Sequence, residues 1–444
     1  MSPEAVIRPL RRPTGDFASS PGGAAIVVVA LAYILLWSLA RPAHEPTSRY
    51  VGELLGAEAV LLFAIALVLA TVLPAIEKAF RGLDRVAVWH RRVAVAGVVL
   101  LIPHVALATS EPDRYATGAG PALGDVALVG LLFLSIWALA PSLRSARWPG
   151  PIRRLARLSY ERWLTAHRLT GLFFIAAFAH AAIVDPAFRR STVLQVVFYV
   201  IGAVGTLAYA YREFFARFVI PVYDYTVAEV RRPSPTTLTA SLEPVREPFG
   251  FVPGQFVFLA FGGEGGWQRH PFSIASAPSE RRLEVAIKAV GDFTRDLHDS
   301  LAPGTPARVA GPFGGFDYRA GGDRQVWIAG GIGVTPFMSW IRGLDDAFDR
   351  DVDFYYSVAH DSDALFAEEI QAAAAKHPTL RPHLVVTDRD GLLTAEATVS
   401  GDGAADGLWV YMCGPPAMTA ALSKGFGRLG VPAGRIRWEE FDVR

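Results

Sequence analysis

VAVWHRRVAVAGVVLLIPHVALA (86–108) and WLTAHRLTGLFFIAAFAHAAIV (163–184) decide how the N-terminal half of this chain folds. Each stays apolar over about the 20 residues that a helix needs to cross some 30 Å of hydrocarbon. Four more stretches of that character, 23–40, 55–76, 122–141 and 193–211, make six candidate spans before residue 218. The first run is longer than a signal-peptide core of about 7 to 15 residues, so it reads as a span. The two quoted stretches also carry His90 and His104, then His167 and His180. A histidine in lipid is costly and needs a purpose. One alone is commonly satisfied by a backbone carbonyl, but two pairs at nearly equal separation set His90 level with His167 and His104 level with His180. That pattern predicts two haem irons at depths about 20 Å apart, each with imidazole on both axial positions.

The helical phase does not close equally on both spans. Fourteen residues from His90 to His104 return a regular helix to within about 40° of its starting face, whereas thirteen from His167 to His180 miss by about 140°. The fifth span is therefore expected to tighten or bend near Gly171, or to meet its haems from different sides. Arg91, Arg92 and Arg168 adjoin the inner ligands, where they serve either as partners of haem propionates or as basic anchors at the membrane edge.

Basic residues crowd the second connection (Lys78, Arg81, Arg85) and the fourth (Arg144, Arg147, Arg153, Arg154, Arg157, Arg162), which puts those connections and both termini on the cytoplasmic side. The expected location is a bacterial plasma membrane, multi-pass, in contact with lipid. The 444 residues are 52% hydrophobic and 19% charged, more apolar than a soluble protein of this size. Mean hydropathy is +0.30. Up to Arg217 there are 22 Lys+Arg against 13 Asp+Glu, and afterwards 21 against 29. A formal net charge of +1 gives no reason to expect nucleic acid. Cys413 is the single cysteine, which excludes an internal disulfide and a cysteine-held metal cluster.

Past Phe218 the long apolar runs give way to short alternating ones punctuated by Gly and Pro, the mark of an antiparallel barrel. Within it PGQF (253–256), RHPFSIAS (269–276), LEVAIKAVGDFT (283–294) and GPFG (311–314) follow in order. A flavin needs a rigid strand edge, hydroxyl and backbone donors, and a cationic or helix-end partner for its pyrophosphate. Phe272 and Ser273 supply the first two, and Lys288 with the turn from Gly291 to Thr294 the third. From Gln325 the pattern becomes strand, glycine turn, helix: QVWIAG, GGIGVTP (330–336), FMSWIRGL. Such a turn lets backbone approach a phosphate at a helix N-terminus. Further alternation predicts a doubly wound sheet with GGIGVTP and CGPPAM (413–418) at the carboxyl ends of strands, where ligands bind. The terminal EEFDVR sets Phe441 either over a flavin ring or in the core.

Taken together, HPFS, IKAVGDFT, GGIGVTP and CGPP behind six spans with paired histidines resemble the ferric reductase and NADPH oxidase superfamily, and the C-terminal half resembles the ferredoxin-NADP reductase family. The resemblance implies a multidomain membrane protein: a tail at 1–22, an all-α six-helix haem domain at 23–217, an FAD-binding antiparallel β-barrel at 218–320 and an α/β NAD(P)-binding domain at 321–444. It implies that His270, Pro271, Phe272 and Ser273 line FAD, with Ile287, Lys288, Gly291 and Thr294 near its ribityl and phosphate groups. Gly330, Gly331, Gly333, Thr335 and Pro336 would hold NADPH or NADH, and Cys413, Gly414 and Pro415 would lie near nicotinamide. His270, Ser273, Cys413 and Phe441 are then the residues nearest the hydride transfer, and the four span histidines match the family's haem ligands. Where NADPH-selective members often place an arginine, this chain has Ala359 and His360, so Ser357 and His360 are the candidate phosphate contacts and the choice between NADPH and NADH is open. Ala108 and Thr109 stand where oxygen-reducing members often place a polar residue, and no EF-hand pattern suggests calcium control.

The expected function is electron transfer from NAD(P)H through FAD and two b-type haems to ferric chelate or O2 outside. Flavin is required because hydride carries two electrons and haem iron accepts one. One alternative is a haem subunit that serves a periplasmic protein partner. A more distant one is a nucleotide-binding transporter or haem sensor, against which Glu58 and Asp125 are expected to sit near span ends.

Overall fold

The computed structural model describes residues 20–41, 46–80, 82–108, 119–138, 160–184, 191–263, 267–399 and 405–439. The chain divides into a helical unit, 20–219, and a C-terminal unit from 220 onward.

In the helical unit α1 (Pro21–Leu39), α2 (Thr47–Leu69), α3 (Pro74–Phe80), α4 (Leu83–Ala108), α5 (Ala119–Ala138), α6 (Tyr160–His167), α7 (Thr170–Val184) and α8 (Thr192–Ala210) follow in order. A π-helical turn, Tyr211–Phe215, and the short α9 (Ala216–Val219) end it. Six helical stretches among the described residues are long and apolar enough to cross a membrane, at 21–39, 47–69, 85–107, 119–138, 164–184 and 192–215. Trp37, Phe174, Leu194 and Phe198 pack around the middle of α2 with almost no exposure. The outward faces are apolar too: Val28, Leu31, Ile102, Val129 and Leu207 are each more than 60% exposed.

The second stretch departs from its expected bounds of 55–76. It begins at Thr47, because Tyr50, Gly52 and Ala57 pack inward despite the polar residues between them. It stops at Leu69, because Val72 adopts φ 56° and Pro74 opens α3 in a new direction. The shift corrects the placing of Glu58. Expected near a span end, it lies midway along α2, buried, with no hydrogen-bond partner for Oε2 among the described residues.

The C-terminal unit holds two sheets. In the first, β1 (Val222–Ser234), β2 (Thr237–Pro244), β3 (Phe256–Phe261), β4 (His270–Ser273), β5 (Leu283–Lys288) and β6 (Pro306–Phe313) pair antiparallel in the order β4-β3-β6-β1-β2-β5. The sheet curls until its two edges touch at the Ile274↔Val285 bridge. Alternate residues fill the interior, among them Leu238, Leu242, Val257, Leu259, Val285 and Val309. Helix α10 (Asp292–Ser300) follows β5.

The second sheet is parallel, in the order β11-β10-β7-β8-β9, built from β7 (Arg324–Gly330), β8 (Asp351–Val358), β9 (Leu380–Val386), β10 (Trp409–Cys413) and β11 (Ile436–Glu439). Helices α11 (Thr335–Arg342), α12 (Ala367–Lys376) and α13 (Pro416–Arg428) connect them. Both faces are buried, as a parallel sheet requires. Along β7, Trp327 and Ala329 enter one core while Val326 and Ile328 enter the other.

The two sheets are clasped by polar bonds. Arg342, at the end of α11, donates to Glu284 Oε1 at 2.8 Å, to the Ala275 carbonyl at 3.1 Å and to both Glu369 oxygens at 2.6 and 2.9 Å. Ser339 Oγ donates to the Ser276 carbonyl at 2.8 Å, and Trp340 Nε1 donates to the Pro253 and Phe316 carbonyls at 3.1 and 3.2 Å.

Candidate functional sites

All four span histidines are half-buried in the helical unit. His90 Nδ1 lies 2.9 Å from the Ala66 carbonyl, and His104 Nδ1 lies 2.7 Å from the Gly52 carbonyl. Both acceptors belong to α2 and are 14 residues apart, matching the separation of the two histidines on α4. His180 Nδ1 lies 2.8 Å from the Gly120 carbonyl of α5. A carbonyl oxygen only accepts, so Nδ1 of each of these rings carries the proton, and in the neutral ring Nε2 keeps its lone pair. This is the state in which imidazole ligates a metal, held by an outer hydrogen bond.

The His90 and His167 ring centres are 6.3 Å apart, with planes 79° to one another. One metal joined to two imidazoles by bonds of about 2 Å would separate ring centres by about 6 Å, so the inner pair fits a shared axial site. His104 lies within electrostatic reach of His180. Among the described residues no three His, Cys, Asp or Glu side chains converge on a metal-sized site.

The fifth stretch is irregular two to three residues before Gly171, close to where the spacing of its histidines leads one to expect a tightened or bent segment. Helix α6 ends at His167, and a turn through Arg168 and Leu169 precedes α7. There Leu169 N bonds Ala166 O, Gly171 N bonds Arg168 O and Leu172 N bonds Leu169 O, all three residues back, while Thr170 Oγ1 donates to the His167 carbonyl at 2.7 Å. Such tightening advances each residue about 20° beyond the α-helical step, so these three bonds recover about 60° of the roughly 140° mismatch. Arg168 is taken up by Glu213 of the π-helical turn, with Nε at 2.9 and 3.0 Å from its two oxygens.

In the C-terminal unit, His270, Pro271, Phe272 and Ser273 form β4. Ser273 Oγ is buried and has no hydrogen-bond partner among the described residues, an orphaned hydroxyl that suits a ligand oxygen or nitrogen. The His270 ring stacks on Phe293 at 3.8 Å between centres, 17° from parallel, which brings the turn after β5 against β4. Ile287 is buried and Lys288 half-buried at the end of β5. Gly291 opens α10, and the Thr294 hydroxyl accepts from the Val290 and Gly291 N–H groups, each at 3.0 Å. Thr294 therefore braces this turn at the start of α10, where the first N–H groups of a helix have no partner within the helix, an arrangement suited to a phosphate.

Gly330 ends β7, Gly331 takes φ +54°, and residues 331–334 form a 3₁₀ turn into α11, where Thr335 Oγ1 donates to the Ile332 carbonyl and Pro336 lies in the first turn. Strand β10 pairs with β7 in register Cys413↔Ala329, so the ends of GGIGVTP and CGPP lie side by side. A Cβ on Gly333 would stand 2.2 Å from the Cys413 carbonyl oxygen. Cys413 itself is fully buried; burial and the Glu439 carboxylate push its thiol well up, so it stays protonated. Gly414 is half-buried and Pro415 exposed. Ser357 is buried opposite Gly330 at the end of β8, and His360 Nδ1 pairs with Asp388 at 2.7 Å. Phe441 and Thr109 lie outside the described residues.

Sequence reasoning missed Phe293, the clasp around Arg342, and the carbonyls of Gly52, Ala66 and Gly120. Only the glycine spacing in GELLG (52–56) and GPALG (120–124) signalled the last of these.

Residues 224–325 match the family model of an FAD-binding domain, and residues 327–424 that of an oxidoreductase NAD-binding domain. The ferredoxin–NAD(P)(+) reductase component of the naphthalene 1,2-dioxygenase/salicylate 5-hydroxylase systems of Ralstonia sp. is 31% identical over 206 residues, 44% of this chain and 62% of that protein. A flavohemoprotein of Pseudomonas putida is 29% identical over 199 residues, 43% of this chain and 50% of that one. The chain thus covers less than two thirds of the length of these curated relatives. The solved FAD/NAD-binding domain of a Vibrio cholerae nitric oxide dioxygenase is 21% identical with a TM-score of 0.44, over 49% of this chain and 98% of that one. Residues 224–325 thus match an FAD-binding domain and residues 327–424 the NAD-binding domain of an oxidoreductase, the pair of modules with which an NAD(P)H oxidoreductase passes hydride to flavin.

Proposed function

We propose that the chain is a transmembrane NAD(P)H oxidoreductase, which oxidises NAD(P)H on the cytoplasmic side of a bacterial plasma membrane and delivers electrons to an acceptor on the other side. When bound, FAD supplies the conversion from two-electron to one-electron chemistry, and two b-type haems supply one-electron carriers within the bilayer. The observation that carries the reading is the state of the span histidines: three donate Nδ1–H to backbone carbonyls, and the inner pair stands 6.3 Å apart in a chain that also carries the FAD and NAD modules.

The residues divide the work. His90 with His167 would hold the inner haem and His104 with His180 the outer one. Ser273 Oγ and the backbone of β4 would hold the flavin, with His270 stacked on Phe293 beside them. Gly331 and the start of α11 would take the dinucleotide phosphates, and the close approach of Gly333 to the Cys413 backbone would hold the two strand ends side by side next to the nicotinamide. Apolar outward faces on the six long helices support a lipid surrounding, since exposing that much hydrocarbon to water is strongly unfavourable. The basic second and fourth connections support the orientation.

Ferric chelate or O2 is the proposed acceptor. A protein acceptor is the second reading, supported by relatives whose names make them reductase or electron-transfer components of oxygenase systems. Purified full-length protein is the test: anaerobic NADH or NADPH should bleach the oxidised Soret band and raise reduced haem bands, and ferric chelate should then reverse them. A preparation with no Soret absorbance, or haem that stays oxidised under excess NAD(P)H, sinks the proposal. Reoxidation only by an added periplasmic extract would favour the protein acceptor.

A further inference from the structure

The outer histidines are seated in the same way by two helices that share no sequence register with them. Gly52 and Gly120 each offer a carbonyl to an imidazole Nδ1, at 2.7 Å for His104 and 2.8 Å for His180. One turn further along each helix a second glycine faces the same ring. A Cβ on Gly56 would stand 2.6 Å from His104 Nδ1 and Cε1, and a Cβ on Gly124 would stand 2.6 Å from His180 Nδ1 and 2.7 Å from its Cε1. The three pairs of distances agree within 0.1 Å, although α2 and α5 differ in composition around the motifs GELLG and GPALG. On the inner side the arrangement is different: His90 has the Ala66 carbonyl, and the residue supplying it carries a Cβ.

We infer that GELLG and GPALG form a duplicated seat in which the first glycine fixes the Nδ1–H tautomer of the outer histidine and the second clears the space its ring occupies, so that Gly56 and Gly124 are positioning residues for the outer iron site alone. This rests on the haem reading above. The physical basis is that a ligating imidazole needs its lone pair on Nε2 and a fixed ring plane, and both are set by the groups around Nδ1. A methyl at either second glycine lies inside the closest approach of real carbon contacts, so the ring has to rotate or withdraw and its bond to the carbonyl lengthens.

The test uses the full chain with Gly56→Ala and Gly124→Ala made separately, and Gly205→Ala as a crowding control, since its Cβ would meet Phe174 at 2.5 Å and no histidine. Haem-to-protein ratio, a potentiometric titration of the reduced haem band and low-temperature EPR of the oxidised protein are read for each. The wild type should give two haems and two redox steps. Each seat variant should keep one step in place and move or lose the other, with the ratio falling from two toward one, and the same step should respond in both. Gly205→Ala should leave both steps in place. Two unchanged steps in both seat variants, loss of both haems together, or the same selective loss in Gly205→Ala overturns the inference. A wild type with fewer than two haems instead overturns the haem reading on which it rests.

Discussion

In the parallel sheet Gly333 faces the backbone of Cys413 at 2.2 Å, whereas in the helical unit Gly56 and Gly124 face imidazole rings at 2.6 Å. The distances are similar, but the obstacles are not. A carbonyl inside a hydrogen-bonded ladder has nowhere to go, because moving it breaks the β7–β10 pairing. A ring turns about its own side-chain bonds. The same residue type is thus a folding requirement in one unit and a tuning device in the other.

The contrast is broken most directly by Gly333→Ala. It should destabilise the C-terminal unit by about 3 kcal/mol or more and abolish dinucleotide binding, with the Soret band intact. A thermal melt that matches the wild type would end the distinction between the two uses of glycine. The clasp offers a second contrast, since the helical core is almost wholly apolar whereas the two C-terminal sheets are joined by buried charge as well as by apolar packing. Arg342 and Glu284 are largely buried, so Arg342→Ala should cost about 2 to 3 kcal/mol, less than for a fully enclosed pair because Arg231 also reaches Glu284. Chemical denaturation followed by flavin fluorescence reads it, and a midpoint unchanged by the substitution would show that apolar packing alone joins the sheets.

Ser273→Ala separates stability from binding. Removing a buried hydroxyl with no partner among the described residues should stabilise the flavin-free protein by up to about 1 kcal/mol, yet weaken FAD binding roughly tenfold. Equal losses in both would mean the hydroxyl is satisfied without flavin. Next comes the choice of dinucleotide. His360 is hydrogen-bonded to Asp388, and Arg389 is paired with Asp390 and Asp361, so the side-chain donors at the ends of β8 and β9 are already taken up by carboxylates and NADH should be preferred. Asp388→Ser should shift the NADPH-to-NADH ratio of kcat/KM upward by about fivefold, since a surface pair is worth about 1 kcal/mol; a fall in that ratio would count against the contact.

The smallest effect concerns pH. Burial favours the protonated form of Asp353, but hydrogen bonds from Arg381 and His383 outweigh it and hold the carboxyl below its ordinary value. Its contribution is complete above the usual carboxylate range near pH 4 and is lost as pH falls through the depressed value. Asp353→Asn should therefore flatten the acid side of the stability profile of the C-terminal unit and leave its neutral side lower.

Much of this was legible in the sequence because the signals are local. GGIGVTP and HPFS each carry turn and strand in consecutive residues, and the run lengths give six helices. The mismatch between the 13- and 14-residue spacings even predicted the irregular turn beside Gly171. What could not be read depends on which segments meet: that Gly52 and Ala66 of α2 receive the two histidines of α4, that Phe293 covers His270, and that Arg342 reaches β5. The second span was misplaced because hydropathy discounts a polar opening turn that packing accepts, and Glu58 moved with it from a span end to mid-helix.

Helix α11 starts on the glycine turn beside Cys413 and finishes on the guanidinium anchored to β5 and α12. Eight residues make a strut about 12 Å long with both ends pinned. The relative setting of the two cofactor pockets is consequently a matter of fixed length, not of hinge angle, and lengthening the strut by one residue would spoil turnover while leaving each pocket able to fill.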